Sequence, residues 1–482
     1  MLFNTIDFAI FLPIVFVLYW FVTNKHLYVQ NALIVVASYV FYGWWDWRFL
    51  TLIFFSTLVD YTVGRGLNRF NKITIRRALL WISIGVNIGL LGVFKYFNFF
   101  IDNFSSVFSF FGTSINIGSL NIVLPVGISF YTFQTLSYTI DVYKRKLEPT
   151  SSFLAFSAYV SFFPQLVAGP IERATHLLPQ FYQPRVFNYK SAVDGLRQIL
   201  WGLFKKMVIA DSCAEYANLI FNNSIDYNGS TLFLGALFFS FQIYGDFSGY
   251  SDIAIGVSRL LGFNLMRNFA YPYFSRDIAE FWRRWHISLS TWFRDYLYIP
   301  LGGSKGHKLN KIRNVFIIFI VSGFWHGANW TFIVWGLLNA IYFLPLLLSN
   351  KNRDNLDIVA KGKYLPSLKE LILITSTFLL TLFAWIFFRA NSISHALSYI
   401  SEMFSSSLFE MPVYDGLRNS IVVITLVVIF VFIEWIGREK QYAIEGIELK
   451  MSLVPRWSLY LAIVFMVFYF QGDKQEFIYF QF

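Results

Sequence analysis

NVFIIFIVSGFWHGANWTFIVWGLLNAIYFLPLLL, residues 314–348, is the stretch that decides how this chain folds. As one helix rising 1.5 Å per residue it would be about 50 Å long, against a hydrocarbon core of about 30 Å. Lys311 and Arg313 precede it, and Lys351 and Arg353 follow it. Lys and Arg accumulate in cytoplasmic loops, so both flanks read as lying on the same side of a bilayer. The chain must then enter and come back, with its turn near Gly323 to Asn329. His326 follows Arg313 by 13 residues. That places it about 20 Å into the membrane if the arm is helical. Irregular backbone at that depth is tolerated only inside protein or along a water-filled cavity. The reading is a re-entrant hairpin with a histidine at the bottom of a cytoplasm-facing indentation.

The rest of the chain supports a bilayer as solvent. Of its 482 residues, 56% are hydrophobic, 21% aromatic and only 14% charged, with a mean hydropathy of +0.53. Soluble domains carry about 25% charged residues. The expected fold class is an all-α polytopic membrane protein. About eleven transmembrane helices are expected, with re-entrant and interfacial amphipathic helices besides. Apolar runs place spans near 6–23, 28–43, 49–64, 78–94, 120–140, 153–168, 195–210, 231–245, 247–262, 371–388, 420–436 and 457–470. No repeat or low-complexity linker divides them, so residues 1–482 read as one integral membrane domain with its core motifs in 120–348. The N-terminal run lacks a basic leader region and a small-residue cleavage site, and reads as a first span.

The net charge of +11 is spread over loops such as 65–77, 266–313 and 350–369. That distribution fits cytoplasmic loops and anionic headgroups, and nucleic acid is not expected as a partner. The single cysteine, Cys213, excludes an intramolecular disulfide and a cysteine-based metal cluster.

Few polar groups stand out. Intramembrane ionisable residues are expensive and by default functional, which makes His326 the leading candidate; its alternative is a histidine satisfied by a carbonyl at the turn. Residues 277–299, DIAEFWRRWHISLSTWFRDYLYI, place aromatics at helical spacing and read as one amphipathic helix lying in the interface. His286 falls in line with Trp282, Leu289 and Phe293 on its apolar face. The loop IPLGGSKGHKLNK (299–311) offers Gly302, Gly303 and Gly306 with Lys305, Lys308 and Lys311. It could hold a phosphate or simply be a solvated basic loop, His307 included, and it is no Walker motif. In 162–181 the chain breaks and turns, and Glu172 and His176 alone are too few for a metal site. Asp246 and Asp252, in YGDFSGYSDIAIG (244–256), read most simply as caps at a helix break. No nucleophile elbow, HExxH or dinucleotide fingerprint is present, and no metal is expected.

FWRRWHISLSTWFRDYLYIPLGG and the downstream GFWHGANWTFIVWGLLNA resemble the membrane-bound O-acyltransferase (MBOAT) family. LPVGISFYTFQTLSYTIDVY, FFPQLVAGPIER, FSGYSDIAIG, FAWIFFRANS and the terminal FIYFQF resemble its bacterial alginate O-acetyltransferase-like branch. The resemblance spans nearly the whole chain. It implies a many-helical fold with funnels meeting near a histidine that matches His326, and a second polar position that matches His286. It implies acetyl transfer from a cytoplasmic thioester donor, acetyl-CoA or an acyl carrier protein, toward O-acetylation of an extracytoplasmic polysaccharide. It also implies an extracytoplasmic SGNH-type partner, no bound cofactor, and residence in the bacterial cytoplasmic (inner) membrane. His326 would then act as base, with His286, Trp325 or Asn329 supporting the oxyanion. Lys305, Lys308, Arg283 and Arg284 are the candidate donor-binding groups. Alternatives are D-alanyl transfer to teichoic acid, peptidoglycan O-acetylation and, in another class, a transporter or polymer exporter with His326 in a proton relay.

Overall fold

The computed structural model describes residues 1–111, 123–167, 169–472, 475, 477 and 478. Among them the chain is helical, with no strand. It divides into two compact units, Met1–Ala192 with Val257–Met266, and Val193–Gly256 with Arg267–Phe482.

The first unit contains α1 (Ile6–Val17), α2 (Leu27–Gly43), α3 (Leu50–Arg69), α4 (Ile73–Leu91), α5 (Phe97–Phe110), α6 (Ile128–Tyr143) and α7 (Phe153–Ser161). The span expected at 120–140 begins among residues outside those described. A polar knot ties α3, α4 and α6. The buried Asp60 carboxylate accepts from Ser83 Oγ, from Asn87 Nδ2 at 2.9 Å and from Thr139 Oγ1 at 3.0 Å. Beyond α7 the chain breaks at Phe162 as expected, and Glu172 and His176 form a 2.7 Å pair. The other Glu172 oxygen accepts from Met266 N at 2.6 Å.

The second unit carries the candidate site. Its elements are α8 (Tyr189–Leu203), a wide turn over Phe204–Ala210, α9 (Asp211–Asn222), α10 (Gly229–Leu260), α11 (Ile278–Arg284), α12 (Ile287–Phe293), α13 (Lys308–His326), α14 (Trp330–Leu348), α15 (Leu368–Arg389), α16 (Ile393–Met403), α17 (Leu417–Gly437) and α18 (Leu453–Tyr469). Among the described residues of the two units, four stretches are long and apolar enough to cross a membrane: Ile73–Phe110, Trp330–Leu348, Leu368–Arg389 and Leu417–Gly437.

Three expectations are corrected here. The two spans at 231–245 and 247–262 are one continuous helix, α10, of 32 residues. Asp246 and Asp252 therefore cap nothing. Asp246 pairs with Lys206 Nζ at 2.8 Å and Asp252 with Lys205 Nζ at 2.6 Å. An acid paired in this way can stay inside a helix that crosses apolar surroundings, so no break is needed. The third correction concerns 277–299. It is not one interfacial helix but two short ones, α11 and α12, separated at Trp285–His286, where His286 has φ +42°.

Candidate active site

The stretch 314–348 does form a helical hairpin. α13 runs through Gly323 and ends at His326, Gly327 is extended, and Asn329 starts α14. The turn is thus only three residues long. Two glycines let the arms touch: a Cβ at Gly323 would overlap the Phe332 carbonyl, and one at Gly336 would overlap that of Phe319. Between membrane helices, where apolar burial drives little, such close backbone packing is a main source of attraction.

The arms are longer than a shallow re-entrant loop needs. Each has 19 residues, or about 28 Å of rise. Their turn meets the far end of α15, a 22-residue helix that starts at the basic 350–369 loop. Asn329 Nδ2 donates to Asn391 O at 3.0 Å, just past the end of α15. The His326 ring lies 5.2 Å from Phe388 in that helix's last turn. His326 therefore sits toward the opposite end of the hairpin from Lys311 and Arg313.

His326 is 3% exposed and walled by aromatic rings. Its centroid lies 4.9 Å from Trp325 and 5.0 Å from Trp335. Trp335 in turn stacks on Trp385 at 5.8 Å. His286 is 1% exposed. Its ring is edge-on to Phe247 at 4.6 Å and lies 6.2 Å from Trp325. The structure thus brings both histidines to the same tryptophan, although they lie forty residues apart in sequence. Such walls keep water away from anything held between the rings.

A cavity of about 470 Å³ lies along the hairpin. Arg294, Lys311 and Arg353 line it near the basic end of the hairpin, and Trp282, Phe319 and Ser322 line it further along. Neither histidine lines it. Ser322 is one helical turn before His326 on the same face of α13, and Trp282 lies 5.6 Å from Trp335, which touches His326.

The other candidates have definite places. Asn329 caps α14, accepting from Thr331 N at 3.0 Å, so its amide is engaged at both ends. Arg283 donates to the carbonyls of Asn352 at 2.9 Å and Asn355 at 2.7 Å. Arg284 bonds Glu280 Oε1 at 2.7 Å and Asp357 O at 2.9 Å. Arg276 joins them, and its guanidinium on Asp357 holds that carboxyl below the usual range. These arginines strap loop 350–357 to α11, and that loop supplies Arg353 to the cavity. Lys305 and Lys308 are exposed beyond its lining. Lys311, read from sequence as a possible phosphate ligand in loop 299–311, does line the cavity, whereas Arg353 and Ser322 were not singled out. An arginine at the flank of a span reads as a topology signal there, and only the folded hairpin turns Arg353 toward the space that Lys311 lines.

Comparison with known proteins places this geometry in a family. The profile of MBOAT, membrane-bound O-acyltransferase family, matches residues 143–364. The chain is 38% identical over 436 residues to "Probable alginate O-acetylase AlgI" of Pseudomonas aeruginosa, covering 90% of this chain and 80% of that protein. It is 36% identical over 438 residues to "Peptidoglycan O-acetyltransferase" of Helicobacter pylori, covering 84% of this chain and 80% of that one. The "Teichoic acid D-alanyltransferase" of Bacillus subtilis is 27% identical over 292 residues, covering 57% of this chain and 71% of that one. Against these relatives the transporter alternative gives way to a transferase. With its histidine-tipped hairpin and near full-length similarity to the O-acetylases, the chain belongs to the membrane-bound O-acyltransferase family, in its alginate O-acetylase-like branch, and is a multi-pass membrane acyltransferase.

Proposed function

We propose that this protein moves an acetyl group from a cytoplasmic thioester, acetyl-CoA or an acyl carrier protein, to a hydroxyl presented from the outer side of the bacterial cytoplasmic membrane, for O-acetylation of an extracytoplasmic polysaccharide. One observation carries the reading: a cavity lined by Arg294, Lys311 and Arg353 is lined also by Ser322, one helical turn from a buried histidine at the tip of the same hairpin. Arg294, Lys311 and Arg353 suit the phosphates of a phosphopantetheine-bearing donor. Its thioester would extend inward along Phe319 and Ser322 toward His326.

The chemistry needs no cofactor. The acceptor oxygen attacks the thioester carbonyl as its proton passes to the His326 imidazole. The C–O bond forms, the C–S bond breaks, and the proton moves on to the leaving thiolate. Exclusion of water by the tryptophan walls suppresses hydrolysis. The acceptor is a hydroxyl of an SGNH-type partner that passes the acetyl group on to the polymer.

His326→Ala is expected to abolish transfer from labelled acetyl-CoA in proteoliposomes while the protein still inserts and keeps its thermal transition. Wild-type polymer acetylation by that variant would sink the assignment. The near-equal identities to an alginate O-acetylase and a peptidoglycan O-acetyltransferase favour a second reading of the polymer. Supplying each glycan with the reconstituted partner separates the two.

A further inference from the structure

The break between α11 and α12 holds His286 in the left-handed region, at φ +42° and ψ +56°. A non-glycine residue adopts that conformation only where its surroundings compensate. Here one residue supplies most of the compensation. Asn268, fully buried, accepts from Ile287 N through its backbone oxygen at 2.8 Å. Its side-chain Oδ1 accepts from Ser288 Oγ at 2.9 Å and Ser288 N at 3.3 Å. Its Nδ2 donates to Ser251 Oγ on α10 at 3.0 Å. The remaining neighbour of Oδ1 is His286 Nδ1, at 3.1 Å.

This network fixes a proton. Amide oxygen and nitrogen are distinguished by their partners. A backbone N–H can only donate, so the Asn268 atom facing Ser288 N is oxygen. His286 Nδ1 faces that same oxygen at 3.1 Å, and the Ser288 hydroxyl 3.4 Å from it gives its hydrogen to Asn268 Oδ1 at the shorter 2.9 Å, so Nδ1 carries a hydrogen of its own. A neutral imidazole has one N–H, which leaves Nε2 with the lone pair. The hydrogen bond made by one ring nitrogen sets the chemistry of the other.

We propose that Asn268 is a positioning residue of the transfer site, locking His286 in the Nδ1–H tautomer so that Nε2 is presented as a hydrogen-bond acceptor. The inference rests on the reading of His326 and His286 as that site. It gives His286 a definite role, in which Nε2 accepts a hydrogen bond from the incoming hydroxyl or the departing thiol and orients it for His326. His286 does not donate to the oxyanion in this form, so that charge must be met by other N–H groups.

The direct test is nitrogen NMR of full-length protein in lipid with 15N-labelled histidine, the His286 signals being assigned by their loss in His286→Gln. The expected spectrum shows a protonated Nδ1 and an imine-like Nε2. Asn268→Asp, whose carboxylate accepts the same hydrogens, should retain it, and the near-isosteric Asn268→Leu should lose it. In transfer assays Asn268→Leu should lower kcat on the order of tenfold or more with little change in donor KM, and Asn268→Asp should recover much of the loss. An Nε2–H tautomer in the wild type overturns the inference without need of any Asn268 variant. So does a wild-type kcat in Asn268→Leu. A wild-type protein that moves no acetyl group overturns the transfer reading instead, and the spectrum tells the two failures apart.

Discussion

At the scale of single residues, the hairpin depends on what glycine leaves out. Gly323 and Gly336 admit the Phe332 and Phe319 carbonyls of the facing arm, and Gly327 admits the Phe332 ring. Gly323→Val should push the arms apart and move His326 off its tryptophans. The expected result is a fall in transfer well beyond tenfold and a lower midpoint of thermal unfolding in detergent, since overpacking of this kind costs about 1–3 kcal/mol or more. Gly85→Ala, with open space at its Cβ, serves as the control and should change neither. A wild-type rate in Gly323→Val would show that the close approach is dispensable. His326 was legible in sequence because an ionisable side chain in an apolar run is conspicuous, and His286 because helical spacing put it on a buried face. Asn268 was not. It lies in an irregular segment, NLMRNFAYPY, where no periodicity marks one polar residue above another.

Among the elements, α10 shows where pattern reading failed and why. Two acids inside an apolar stretch looked like a helix end, because a lone charge in such surroundings is too costly to keep. What the pattern lacked was their partners. Lys205 and Lys206 sit in the wide turn after α8, and Lys206 Nζ also reaches Asp211 Oδ1 at 2.6 Å. Asp246 Oδ2 further accepts from Ile478 N at 2.6 Å, tying the end of the chain to α10. The signal existed in sequence as two lysines within the apolar run 195–210 matched by two acids within 231–262, but nothing there linked the two runs. Removing one partner of a buried pair strands the other charge. Lys206→Met should therefore destabilise by about 3–5 kcal/mol, and Lys206→Met with Asp246→Leu by less, since only the less buried Asp211 is then left without its lysine. Thermal unfolding of the three proteins measures this, and equal losses in the single and double variants would contradict it. The short helices α11 and α12 were hidden for a different reason: the aromatic spacing of 277–299 is helical throughout, and the break at His286 is imposed by the packing of Asn268 rather than by a glycine or proline.

At the scale of the molecule, charge and exposure give the second unit a direction. Loop 350–369 carries Lys351, Arg353, Lys361, Lys363 and Lys369, whereas residues 390–417 contain Glu402, Glu410 and Asp415 and no Lys or Arg. α15 separates the two, and its 22 residues rise about 33 Å, enough to cross the hydrocarbon core. The positive-inside tendency then puts the basic cavity and its arginine strap on the cytoplasmic side, and the Asn329–Asn391 contact beyond the far end of α15 near the outer surface. This polarity is what the proposed transfer across the membrane requires, in which the two substrates would arrive from opposite sides and meet at His326. It is open to direct measurement. Cys213 is fully buried, and Tyr364 and Phe409 are 95% and 91% exposed at the two ends. In a Cys213→Ser background, Phe409→Cys should react with a membrane-impermeant maleimide in intact cells once the outer envelope is opened. Tyr364→Cys should react only after the cytoplasmic membrane is permeabilised. The reverse pattern would invert the protein, place the basic cavity outside and remove its access to a cytoplasmic thioester. Labelling of both from outside would mean that α15 does not cross, and the hairpin that leans on its last turn would then have no far side to reach.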